Sequence, residues 1–263
     1  MDIKVKEQAL LELIEPEQHT ARTLIGQSGA DSHNIWYDGV PDYLIDVYDW
    51  AYVNPKWMRW LDHRLVVRVL LWGNDNRLMR IYLDEIRPGI KVWQVAHVYG
   101  NLVQRVAERV GSQGEFLLTD ITPIQVEHGR NKLAHYPWAR VIRADAATFH
   151  SGTDYDLICS FFLLHEVPDE KKRQIVDHLL DRIPPHGRLL FVDYHRPAWW
   201  QPVRWILKAV NATLEPFADA LWQHDIRDFA SQPERFTWRK RTLLGGTYQV
   251  IWVRRQTLDR DAQ

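Results

Sequence analysis

The sequence predicts an α/β fold: a mostly parallel sheet with helices on both faces, closed on one side by an antiparallel hairpin. Three observations carry this prediction. Five short apolar runs alternate with helical stretches between residues 92 and 192, the pattern of a buried parallel sheet. Acids end or follow three of these runs, at Asp120, Asp145 and Asp193. Residues 236–254 alternate in polarity and turn at Gly245-Gly246, as a hairpin does.

Taken in order, residues 1–35 are polar and mixed in charge, and are expected to form a flexible lead with one short helix at 3–14. Residues 36–86 are expected to form a helical cap. Aromatic and aliphatic residues recur there at spacings of three and four (Tyr48, Tyr52; Trp57, Trp60, Leu61, Leu65; Val69, Leu70), interrupted at Pro55 and Gly73. The sheet domain is read over residues 87–255. Its runs are Val92–Val98, Phe116–Ile121, Arg140–Ala144, Tyr155–Leu164 and Arg188–Val192, with helices at 101–110, 123–134 and 168–183. Right-handed crossovers place every strand's C-terminal end on one edge, where such sheets bind ligands. A helical insertion at about 197–230 and a tail at 256–263 complete the chain.

Composition narrows the function. The 263 residues carry 33 Lys+Arg against 34 Asp+Glu, a formal charge of -1, so there is no general field to attract a nucleic-acid backbone. A single cysteine, Cys159, excludes an intramolecular disulfide framework and any cysteine-based zinc site. No apolar run reaches the roughly 18 residues needed to span a bilayer. The 13 tryptophans are an unusual load, and tryptophan suits places where an apolar body meets a wet edge.

Five strand ends with an acid after the second and third describe the nucleoside-binding edge of a Rossmann-like class I S-adenosylmethionine-dependent methyltransferase fold. Asp120, followed by Ile121, suits the two ribose hydroxyls, because one carboxylate accepts both hydrogen bonds. Asp145-Ala146 suits the adenine edge. Helix capping or plain solvation at strand ends is the competing reading for either acid. The stretch DYDLICSFFLLHEVPDE resembles the fourth-strand segment of that fold, with Phe161 placed toward the cofactor. The first loop departs from it. In KVWQVAHVYGNL, Gln94 stands where an acid is usual, Ala96 and Val98 replace two glycines, and Gly100 alone remains. A β-branched Val is poorly suited to a positive-φ turn, so the loop is expected to take another shape, with the amino-acid end of the cofactor held differently.

The segments VYDWAYVNPKWMRWLDH, VWQVAHVYGNL, SFFLLHEVPDEKKRQIVDHLLDRIPPHGRLLFVDYHRP and RKRTLLGGTYQVIWVRR closely resemble the rhodoquinone biosynthesis family called RquA, relatives of the ubiquinone and menaquinone C-methyltransferases. The resemblance covers about residues 36–255. It implies conversion of ubiquinone to rhodoquinone, in which an amino group replaces a ring methoxy group. It further implies S-adenosylmethionine as amino donor, a requirement for manganese, and a place on the inner face of the bacterial cytoplasmic membrane.

That chemistry needs a neutral amine, hence a base, and polarisation of the neighbouring carbonyl. Candidate base or hydrogen-bond groups are His97 and His165, with Tyr99 as a donor or pocket wall. His165 and Glu166, or Asp193 and His195, with Asp145 nearby, are the candidate manganese ligands, since that ion prefers carboxylate, water and imidazole. His-Glu after the fourth strand is also common in ordinary methyltransferases, where it binds no metal. Tyr48 or Tyr52 of the cap is expected over the cofactor, although an aromatic stripe at helical spacing also suits a core. Residues 196–210, with three tryptophans among Arg196, Arg204 and Lys208, are a candidate interfacial helix. Two other functions fit less of the sequence: a conventional methyltransferase tolerating a variant loop, and a non-catalytic lipid-binding accessory protein.

Overall fold

The computed structural model describes residues 36–49, 61–213 and 215–256. The chain divides into residues 1–34 and residues 35–263, and all the described residues belong to the second unit. The expected helix at 3–14, Tyr52, three of the cap tryptophans and residues 257–263 lie outside the described residues.

Three helices precede the sheet among the described residues: α1 (Asp42–Tyr48), α2 (Arg64–Leu70) and α3 (Asp75–Asp84). The strands and helices then alternate as β1 (Lys91–Val95), α4 (Leu102–Val110), β2 (Glu115–Asp120), α5 (Pro123–Leu133), β3 (Ala139–Arg143), β4 (Leu157–Phe161), α6 (Asp169–Asp181) and β5 (Arg188–Tyr194). Helices α7 (Val203–Thr213) and α8 (Ala220–Gln223) follow, then β6 (Phe236–Leu243) and β7 (Tyr248–Arg255). The sheet order is β3-β2-β1-β4-β5-β7-β6. The first five strands run parallel and β7 enters antiparallel between β5 and β6. The predicted parallel sheet and closing hairpin are therefore both present.

Strand boundaries shift where the backbone changes hand. β1 ends at Val95 rather than Val98 because Ala96 turns left-handed (φ 68°). β4 ends at Phe161 rather than Leu164 because Phe162 does the same (φ 54°). β5 runs past Val192 to Tyr194, so Asp193 lies inside the strand and is buried. The central strands are apolar on both faces, as a sheet covered on both sides requires. On one face Leu78 and Tyr82 of α3 and Val103 and Val106 of α4 pack onto β1, β4 and β5. On the other, Ile175, Val176 and Leu179 of α6 pack against Trp93, Ile158 and Phe191.

The cap pattern is only half a covering pattern. Leu44 and Tyr48 of α1 are buried, whereas α2 buries none of its residues and Leu65, Val69 and Leu70 are exposed.

One buried cation joins α6 to the segment after α7. Lys172 is fully buried, and its ammonium donates to Val167 O (2.6 Å), Asp169 Oδ1 (2.9 Å) and Phe217 O (2.8 Å). All three of its protons are thereby satisfied. Replacing Lys172 with Met strands two carbonyls and is expected to cost about 2–4 kcal/mol. Urea denaturation of the variant checks this, and an unchanged midpoint would refute it.

Candidate functional site at the C-terminal edge of the sheet

The altered first loop is built around two left-handed residues, Ala96 and Gly100 (φ 68° and 86°). Val98 is not one of them, so the anticipated valine strain falls on Ala96 instead, where a side chain costs about 1–2 kcal/mol. The loop is braced from below. The His97 N–H donates to Asp120 Oδ2 (2.8 Å). The Gly100 N–H donates to Asp62 Oδ1 (2.8 Å), and the Gly100 carbonyl accepts from Lys132 (2.6 Å). Lys132 also pairs with Asp62 (2.5 Å), and His128 of α5 lies 3.0 Å from the same carboxylate. Burial alone would raise the Asp62 carboxyl, but His128 and Lys132 hold it down at about 2. Gln94 is fully buried; its amide donates to Ala96 O (3.1 Å), and its Oε1 finds no partner among the described residues. A neutral acceptor thus waits beneath the loop where an acid is usual.

The two strand-end acids divide. Asp120 is buried, and besides His97 it accepts from the Thr122 N–H (2.9 Å) and Thr122 Oγ1 (2.8 Å). Burial raises its carboxyl. Its side chain thus ties the loops after β1 and β2 together. Asp145 is half-buried; Oδ1 accepts from the Ala147 N–H (2.8 Å) and Oδ2 pairs with Lys171 (2.9 Å). Ile121 packs beneath α1 with Val40, Leu44 and Tyr48. Ala146 lines the β1/α6 side of the core and Val98 the opposite side. Phe161 is a correction: it is buried in the core against Tyr82, at 6.0 Å between ring centroids.

Beyond β4 and β5 lies a second group. His165 is buried, and its Nδ1 donates to Asp193 Oδ1 (2.8 Å); Asp193 also accepts from the Leu164 and Tyr194 N–H groups (both 2.8 Å). Burial alone would lower the His165 pKa, but Asp193 outweighs it and lifts the imidazole to about 9. Glu166 approaches its other nitrogen at 3.5 Å. The rings of Phe162 and Tyr194 stand edge-on to the imidazole at 5.9 and 4.8 Å, and Tyr248 adjoins both. Tyr48 of α1 is fully buried here and donates to Glu215 Oε2 (2.7 Å). Burial raises the Glu215 carboxyl, partly offset by His165.

His97 is the opposite case. It is buried beside His128 and Tyr99. Burial, then Lys132 and His128, push its pKa well below the usual value. Tyr99 OH accepts from Gln125 Nε2 (3.0 Å), and burial raises the phenol.

The five candidate metal ligands do not form one set: His165, Glu166 and Asp193 adjoin, but the other two are engaged elsewhere. Asp145 is taken by Lys171, and His195 by Gly246 O (3.0 Å) and Lys240 (3.0 Å). Asp193 is consumed by His165 and two backbone donors. Among the described residues no group of three His, Cys, Asp or Glu side chains is placed to hold a metal ion. The donor set does not fit a preformed manganese centre.

Sequence reasoning missed Asp62, His128, Lys132, Phe162 and Glu215. Only Phe162 carries a local signal, as the residue after a buried strand; the others meet the site through contacts distant in sequence. Two substitutions test the braced loop. Ala96→Gly relieves the left-handed strain and is expected to gain roughly 0.5–1 kcal/mol. Lys132→Met leaves the Gly100 carbonyl unpaired and is expected to cost about 2 kcal/mol. Thermal melts of both read the signs, and equal shifts in one direction would refute the left-handed strain and the Lys132 brace.

Comparison with known proteins agrees with this architecture. A family model described as a methyltransferase domain matches residues 98–189. The ubiquinone/menaquinone biosynthesis C-methyltransferase UbiE of Idiomarina loihiensis is 32% identical over 140 residues, covering 50% of this chain and 55% of that protein. Its counterpart in Vibrio parahaemolyticus is 26% identical over 176 residues, covering 62% and 65%. The chain spans about half the length of the curated relatives it matches. Among solved structures, a TehB-like S-adenosylmethionine-dependent methyltransferase from Corynebacterium glutamicum superposes with a TM-score of 0.50 at 13% identity, over 77% of this chain and 100% of that one. An O-methyltransferase family protein from Burkholderia thailandensis gives 0.56 at 13%, over 74% and 60%. The chain thus has the class I S-adenosylmethionine-dependent methyltransferase fold and is related in sequence to the quinone C-methyltransferases.

Proposed function

We propose that this protein is a transferase that uses S-adenosylmethionine to aminate ubiquinone, replacing a ring methoxy group to give rhodoquinone. The observation that carries the reading is the pair of histidines pushed apart in pKa at one sheet edge. His165 is held charged by Asp193, and His97 is held neutral by burial. Such separated groups divide acid and base roles at neutral pH.

S-adenosylmethionine supplies the amino nitrogen. Gln94 Oε1, a buried acceptor with no partner among the described residues, suits an N–H donor at the amino-acid end of that molecule. A neutral amide there does not hold an ammonium in its protonated form, as a carboxylate would. In this reading His97 stays neutral and accepts a hydrogen bond from the free amine that attacks. The charged His165, in the same reading, donates toward a quinone carbonyl, which draws electrons from the carbon bearing methoxy. The carbon–nitrogen bond forms, the carbon–oxygen bond to methoxy breaks, and methanol leaves with the proton. The ring nitrogen then still carries the donor's carbon skeleton, and the donor's own Cα–N bond must break in a separate step to free the amino group of rhodoquinone. Phe162, Tyr194 and Tyr248 supply aromatic walls for a flat ring, and Tyr48 with Glu215 closes the cap side. The family resemblance also implies manganese, for which the described residues hold no group of three ligands.

The names of the sequence relatives favour a second reading, methyl transfer to a quinone carbon. Products separate the two. With ubiquinone and S-adenosylmethionine labelled at the amino nitrogen, manganese being supplied, amination yields a labelled ring amine and methanol. With a quinone bearing a free ring carbon offered beside ubiquinone, S-adenosylhomocysteine and an unlabelled methylated product, ubiquinone remaining unaminated, would overturn it.

The His165 assignment also fixes a pH dependence. A folded pKa raised to about 9, above the unfolded value near 6.5, contributes stability that is full below the unfolded pKa. That contribution is lost as pH rises through about 9. The wild-type protein is expected to lose stability between pH 6.5 and 9, and His165→Gln to flatten that slope; parallel slopes in denaturant titrations would refute the charged imidazole.

A further inference from the structure

Every large hydrophobic side chain found exposed among the described residues lies on one of two short segments. Leu65, Val69, Leu70 and Trp72 belong to α2 and the turn after it. Trp199, Trp200 and Trp205 belong to the segment entering α7, at 82%, 61% and 67% exposure. Single exposed apolar residues are ordinary on a protein surface, but a concentration of this kind marks an interaction face.

Both segments border the same sheet edge. Val67 of α2 faces Gly100, just beyond β1, close enough that a Cβ on that glycine would sit 3.7 Å from it. The Trp200 ring lies against Gly245 in the β6–β7 turn, and the Ala198 N–H donates to Gly245 O (2.7 Å). That turn adjoins the C-terminal end of β5, where Tyr194 pairs with Tyr248. Leu71 and Leu244 pack onto one core cluster. In the strand order, β4 and its His165 loop come between these two borders.

Charge selects the occupant. Residues 64–72 contain Arg64 and Arg68 and no acid; residues 196–213 contain Arg196, Arg204 and Lys208 and no acid. Tryptophan with arginine and lysine, and no carboxylate among them, complements an anionic lipid surface. A second copy meeting this face with its own would set cation against cation.

We infer that α2 with Trp72, and the segment from Trp199 to Trp205, form a two-part docking face for an anionic bilayer surface. Docking through both parts turns the sheet edge, and the reacting site with it, toward the lipid. The reason for the orientation rests on the quinone reading, because a long-tailed quinone is delivered from the bilayer. The docking itself is measurable without that reading.

The test is sedimentation of the full chain with vesicles of phosphatidylglycerol and phosphatidylcholine, or of phosphatidylcholine alone. The wild-type protein is expected to bind the anionic vesicles at least about tenfold more tightly. Leu65→Ser with Val69→Ser, and separately Trp199→Ser with Trp205→Ser, are each expected to weaken that binding by on the order of tenfold. Each pair should keep turnover of a short-tailed, water-soluble quinone and lose it with a long-tailed quinone in vesicles. Equal binding to both vesicle types, or variants that bind as wild type does, would overturn the docking face. So would a wild-type dimer that the substitutions convert to monomer. Vesicle binding without turnover of any quinone would uphold the face and fail the proposed function instead.

Discussion

A charged imidazole held against a buried carboxylate organises the working edge of this sheet. His165 reaches Asp193 only because Phe162 turns left-handed at the end of β4 while β5 continues to Tyr194. Asp193 in turn fixes the Leu164 and Tyr194 N–H groups, so one side chain sets the loop after β4 and the end of β5 together. Burying two opposite charges is favourable only when the remaining polar valences are met. Asp193 meets that condition with two backbone donors. The neighbouring aromatic rings keep water away and leave the pair electrostatically strong.

The first loop answers a different constraint. Its backbone still makes the left-handed turns a cofactor-binding loop needs, at Ala96 and Gly100, although only one glycine remains to make them. Asp120, Asp62 and Lys132 brace the loop from the protein side. An acid that the fold ordinarily offers to a ribose is here partly committed to the protein itself. The fold is common property; the altered chemistry lies in what holds this loop and in the neutral residues around it.

The alternation of apolar runs with helices made the sheet, its direction and its closing hairpin legible, because burial on both faces leaves a continuous apolar run in each strand. The edge acids were legible as positions but not as roles. Nothing local in the sequence distinguishes a carboxylate facing a ligand from one accepting a neighbour's N–H, as the engagement of Asp120 shows. Phe161 and Phe162 make the same point: a one-residue change of backbone hand decides which ring enters the core and which joins His165. Asp62, Lys132 and Glu215 were not legible, since each acts through partners at least 32 residues away. The helical period of the cap was legible, yet it did not say which apolar side chains would be covered, and α2 presents its own outward.

The proposed chemistry requires a charged histidine and a neutral one at the same sheet edge. The most direct measurement is a pH titration of the histidine ring nitrogens by NMR, with His97→Gln and His165→Gln assigning the two signals. His165 is expected to stay protonated until about pH 9, and His97 to remain neutral well below the usual imidazole value. Two rings titrating together near 6.5 would contradict it.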